Sequence, residues 1–184
     1  LVSLRRLRGE GVDAAIIQGM QAIVSDDAAA LIEVLADREA ATAVPALLEG
    51  AAGPDEPVRK AAFKALGRLA APDSLPRLLG LLVALQGEAG RREAEQAVVA
   101  VAHKLPDAAK QAEQPLAVYA KVAVPAARIS LLRILRALGT AAAFDAILAA
   151  RNDADAAIQD AAVRELAAWP DGRALAPLLD LART

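Results

Sequence analysis

Side chains that do chemistry are few in this chain, so their spacing has to carry the reading. His103 is the only histidine, and there is no cysteine among the 184 residues. A general base needs a partner in reach, and a metal site usually takes at least three ligands. A zinc centre here would have to be completed by carboxylates alone. His103 reads instead as a helix-end residue near the last carbonyls. Ser3, Ser25, Ser74 and Ser130 are the only serines. Ser25 and Ser74 stand just before helical stretches and look like caps, and Ser130 lies inside one. None follows a strand in the elbow that exposes a nucleophile. The carboxylate groups Asp26-Asp27, Asp55-Glu56 and Asp153/Asp155 have the spacing for acid–base work. All three stand at helix starts, where the macrodipole and free backbone N–H groups favour negative charge. The Gly50–Gly53 and Gly87–Gly90 stretches lack the preceding strand of a phosphate loop. The expectation is a non-enzymatic protein with no cofactor and no metal.

The elements that position these residues follow from composition. Hydrophobic residues make up 56% of the chain but aromatics only 2%, so the apolar content is Ala, Leu, Val and Ile. Ala and Leu head the helix propensities, and scarce aromatics and Thr argue against a large sheet. The expected class is all-α. A net charge of −2 gives no global field for polyanions, which makes nucleic acid an unlikely partner. No apolar run is long enough to cross a bilayer, so no membrane insertion is expected. The chain begins Leu1-Val2-Ser3 without an initiator Met, which reads as a piece of a longer protein whose compartment is unknown.

The chain repeats itself. Val44-Pro45-Ala46-Leu47-Leu48 aligns with Leu75-Pro76-Arg77-Leu78-Leu79, a shift of 31. Val58–Leu69 aligns with Ile158–Trp169, a shift of 100 with two copies between, at Ala94–Leu105 and Ala127–Leu138. Three steps over 100 residues give a period near 33, the length of a two-helix repeat. Within each copy the apolar positions form one helical stripe, which stacking of neighbouring pairs would bury. Asp- and Pro-bearing loops punctuate the period, as in Gly53-Pro54-Asp55-Glu56-Pro57. Eleven helices are expected, at 13–24, 26–37, 41–51, 56–70, 73–86, 90–104, 108–122, 126–138, 141–150, 154–168 and 173–183. They make about five repeats (13–37, 41–70, 73–104, 108–138, 141–168) and a terminal helix, in one domain spanning 1–184. Pro115 and Pro125 interrupt the pattern, so 106–125 is expected to bend or begin late.

The pattern carried by Val44 to Leu48, Asp55, Val58, Arg59, Ala61, Ala62, Ala65, Leu66 and Gly67 resembles the HEAT repeat, particularly the short bacterial kind seen in phycobilin-lyase-type repeats. Later copies keep the apolar skeleton, but Gln159 replaces the Arg, and His103, Arg136 and Ala167 replace the Gly. The resemblance implies an α-solenoid, a right-handed superhelix of antiparallel helix pairs whose second helices line a concave surface. Residues 162–172 are similar to segments of large multidomain bacterial proteins, which implies an interaction domain from an exported parent.

On those second helices the exposed column holds Lys64, Ala100, Arg133 and Arg164, with Lys60, Arg68, Lys104 and Arg136 close by. A basic ridge of Lys60, Lys64, Lys104, Arg133, Arg136 and Arg164 would attract an acidic peptide or other carboxylate-bearing partner. The alternative is a solvated face balanced by Glu95, Asp160 and Glu165. Arg59 and Arg128 fall in a second column and are expected to pair with loop Asp residues. Trp169 stands where Leu69 stands in the earlier copy and is expected to be core or a lid. The function expected is a protein-interaction scaffold that presents a concave helical surface to a protein or peptide partner. The rivals are an architectural spacer in an exported multidomain protein, and a HEAT-type lyase or nucleic-acid-binding module.

Overall fold

The computed structural model describes residues 2–7, 9, 11–23 and 25–181. Among them the chain forms twelve α-helices and no strand: α1 (Val2–Arg6), α2 (Val12–Ala22), α3 (Asp26–Asp37), α4 (Val44–Ala52), α5 (Glu56–Leu69), α6 (Leu75–Ala84), α7 (Arg91–Ala102), α8 (Ala108–Tyr119), α9 (Pro125–Leu138), α10 (Ala141–Ala150), α11 (Ala156–Ala167) and α12 (Leu175–Leu181). Eleven are the expected ones, within a few residues where their ends are described; positions 24, 182 and 183 of the expected helices lie outside the described residues. The short α1 was not expected, because its five residues are too few to show a period.

Two compact units divide the chain, Leu1–Lys104 and Leu105–Thr184. In the first, α2, α4 and α6 pair with α3, α5 and α7, and the second helices α3, α5 and α7 lie side by side in serial order. In the second, α8 and α10 pair with α9 and α11, α9 lies beside α11, and α12 packs on α11. Each unit has the neighbour-on-neighbour order of an α-solenoid. The division falls at the start of the segment where Pro115 weakens the repeat. That segment forms a single helix, α8, with Pro115 buried inside it.

Apolar stripes make the cores. Ile32, Leu35, Leu47, Phe63, Leu66, Leu78, Leu82 and Val98 are fully buried in the first unit. Leu131, Leu132, Ile134, Leu135, Ile147, Ile158 and Leu166 are equally buried in the second. Small residues set the closest approach. A Cβ on Gly67 would lie 3.3 Å from the Ala97 Cα and 3.5 Å from the Ala100 Cβ, so α5 and α7 meet at a point where only glycine fits without displacement.

Acidic caps start the helices. Asp55 accepts from Val58 N–H at 3.0 Å, Asp107 from Ala109 N–H at 2.9 Å and Asp155 from Ala157 N–H at 2.8 Å. The two serines behave otherwise. Ser25 and Ser74 occupy cap positions but make no capping side-chain bond, and the Ser74 hydroxyl turns to Asp73 at 3.3 Å. A short 3₁₀ turn, Pro72–Ser74, precedes α6 and closes its first turn through the backbone, leaving the serine no vacancy to fill. At the end of α3, Ala40 N–H donates to Leu35 and Glu39 N–H to Ala36, a paired closure that needs a left-handed residue. Glu39 takes that role at φ 56° in place of the usual glycine.

Candidate partner-binding surface on the second helices

The six expected ridge residues fall in both units, three in each, and every one lies on or at the end of a second helix. Most are engaged in specific contacts. In the first unit Lys60 pairs with Glu56 at 2.6 Å along α5, which raises the lysine pKa and lowers that of the glutamate. Lys64 reaches across to Glu33 of α3 at 3.4 Å, and Arg68 to Asp37 at 3.0 Å. Each of these cross-helix pairs joins residues 31 positions apart, one repeat. Asp37 also holds Arg5 at 2.9 Å. Lys104 does not face outward as a free cation. Its ammonium donates to the carbonyls of Arg68 and Ala70 at 2.8 and 2.7 Å, closing the end of α5, and burial there lowers its pKa.

In the second unit Arg136 on α9 donates to Glu165 on α11 at 2.5 Å, the two 29 positions apart. Arg133 is half-buried and engaged. Arg164 is exposed and makes no ion pair with a described residue.

The second column divides. Arg128 does pair with a loop aspartate, Asp153, at 2.7 Å, and it lies 4.8 Å over the Tyr119 ring. Arg59 does not. Its guanidinium donates instead to the carbonyls of Gly53 and Pro54 at 2.9 and 3.2 Å. Gln159, which replaces this arginine in the later copy, does the same work and donates to the Asp153 carbonyl at 2.6 Å. Gln111 reaches Leu105 at 2.7 Å and Arg91 reaches Leu85 at 2.8 Å. In all four the side chain turns back six residues to the preceding loop. Gly90 takes φ 77° beside Arg59, and a Cβ there would lie 3.3 Å from the Arg59 Nε.

The other candidates have structural placements. His103 is the exposed residue that caps α7, its N–H donating to the Val99 carbonyl. Ser130 is fully buried in α9. Asp26 and Asp27 are exposed in the first turn of α3, and Asp153 also accepts from Asp155 N–H at 3.0 Å. Among the described residues no three His, Asp or Glu side chains gather as a metal site would require. Ser3 lies where only the backbone is described.

Trp169 is 6% exposed and packs edge-on to Phe144, ring centres 5.1 Å apart. The Arg173 guanidinium lies 5.4 and 5.5 Å from the two ring centres, and Asp171 holds it at 2.7 Å. That pairing lowers the Asp171 pKa to about 2. Trp169 therefore serves as core capped by a cation.

A small hollow lies between α3 and α5 in the first unit. Its floor is Ala36, Ala61 and Ala65, and its rims carry Glu33 and Asp37 on one side, Lys64 and Arg68 on the other. No described helix is long and apolar enough to cross a membrane. A comparison with curated proteins finds none that matches. The family model for HEAT repeats matches residues 14–99.

Proposed function

We propose that this chain, a HEAT-repeat array over residues 14–99 and continued in helix pairs of the same plan, is a non-catalytic scaffold that binds a protein or peptide on its second helices. HEAT repeats commonly mediate protein interaction. The observation that carries the reading is the side-by-side packing of α3, α5 and α7 on a buried core, which fixes the outward face before any partner arrives. A surface ordered in advance loses little freedom on binding, so many weak contacts sum to useful affinity.

The test is site-specific photo-crosslinking of the whole chain in its native cells. A crosslinking residue replaces Gln96, exposed on α7, or Arg77, exposed on the first helix α6. Discrete adducts from position 96 and none from 77 are expected. Adducts from neither position would overturn the scaffold and favour an architectural spacer.

A further inference from the structure

We propose that a second hollow of the first unit, at the corner between the ends of α4 and α6, binds a small aliphatic carboxylate whose charged end is held by Arg59. This site is walled by first helices and stands apart from the partner surface on the second ones.

The hollow has a volume of about 270 Å³, and Arg59 is the one charged residue among those described that line it. Ala51 and Leu81 form its apolar walls at 1% and 9% exposure, so the core holds them in place without a ligand. Leu85 and the exposed Gln86 stand at its rim. A single bond of 3.3 Å to the Ala84 carbonyl holds the Gln86 amide, which is free to exchange it for a ligand oxygen.

Arg59 brings more charge to this corner than the fold uses. Its Nη1 donates to the Gly53 and Pro54 carbonyls, and its Nε is buried without a partner. Its Nη2 makes no hydrogen bond with a described residue. The neighbouring carboxylates are engaged elsewhere, Asp55 with Val58 N–H and Glu56 with Lys60 at 2.6 Å. An amide suffices for the same latch where Gln159 donates to the Asp153 carbonyl, and the latch at Arg91 has Glu88 at 3.8 Å. Among these latches Arg59 alone carries a charge that neither the latch requires nor a carboxylate answers. Its Nη2 offers a carboxylate a charge-assisted hydrogen bond, and the Gln86 amide offers a second. The apolar walls take the hydrocarbon part. An amine would face a like charge, and a neutral amide would forgo the ionic bond.

The probes are acetate, butanoate, hexanoate, hexylamine and hexanamide, each titrated into the full chain and followed by amide chemical shifts. Hexanoate is expected to bind best and to shift Ala51, Leu81 and Gln86. Affinity should rise about fourfold for each methylene that enters the hollow. R59Q keeps a latch of the Gln159 kind and removes the charge. Its affinity for hexanoate should fall about tenfold while hexanamide binds as before. Should that variant lose helicity, the ranking of hexanoate, hexanamide and hexylamine on the unaltered chain decides. Equal binding of those three, no binding of hexanoate, undiminished binding by a folded R59Q, or shifts confined to residues outside the hollow would overturn the site. A short peptide ending in leucine, with its terminus free or amidated, then separates the two sources of such a group. Tighter binding of the free-ended peptide than of hexanoate makes the ligand a chain end, and weaker binding makes it a small free acid. Crosslinking from Gln96 on α7 tests the scaffold separately, so either reading can fail while the other stands.

Discussion

The two units carry the same repeat but hold it together differently. In the first, α5 and α7 come together on Gly67, Ala97 and Ala100, and the cross-helix pairs set acids on the earlier helix against bases on the later. In the second, Phe144 on α10 packs edge-on to Trp169 just past α11, and the polarity of the cross-helix pair is reversed, Arg136 on the earlier helix and Glu165 on the later. One apolar skeleton thus tolerates opposite charge order, because the surface pairs adjust register and contribute little to stability, while burial supplies the bulk.

That contrast can be broken most strongly at Trp169. Replacing it with alanine removes a buried ring and the platform under Arg173, and should cost about 3–5 kcal/mol. Hydrogen-exchange mass spectrometry should show faster exchange in α10 and α11, with α3 and α5 little changed. Equal loss across both units would mean that they unfold as one. Gly67→Val tests the other half, since its added methyls press on the backbone of α7. A cost of about 1–3 kcal/mol is expected, seen as faster exchange in α5 and α7. An unchanged melting curve would show that the close approach is slack. The smallest effect sharpens the comparison in the opposite direction. Glu39→Gly relieves a left-handed residue at the end of α3 and should add about 0.5–1 kcal/mol, measured by urea unfolding. A loss would mean that the Glu39 side chain contributes more than its backbone strain.

The fold was legible because an apolar stripe and an acidic cap recur at a near-constant interval, and neither depends on distant contacts. The caps at Asp55 and Asp155 followed directly from their places before apolar runs. What the pattern concealed was partnership. Lys64 and Arg68 look like a free basic column when bases alone are read down the repeats. Glu33 and Asp37, one period earlier, were visible by the same alignment and would have exposed the pairing. Arg59 was expected to seek a carboxylate, but it donates to loop carbonyls, acceptors that every residue carries and that a pattern of side chains does not record. Gln159 seemed a loss of the motif arginine, yet an amide donor suffices where the acceptor is a carbonyl. The closure at Glu39 was hidden because its usual marker, glycine, is absent.

The six-residue backward reach of Arg59, Arg91, Gln111 and Gln159 has a bearing on how the molecule is made. Each of these four corners is latched by a side chain from the arm that comes after it. None of these four bends can be fastened before the rod that follows it has coiled, which ties the set of each corner to the growth of its neighbour.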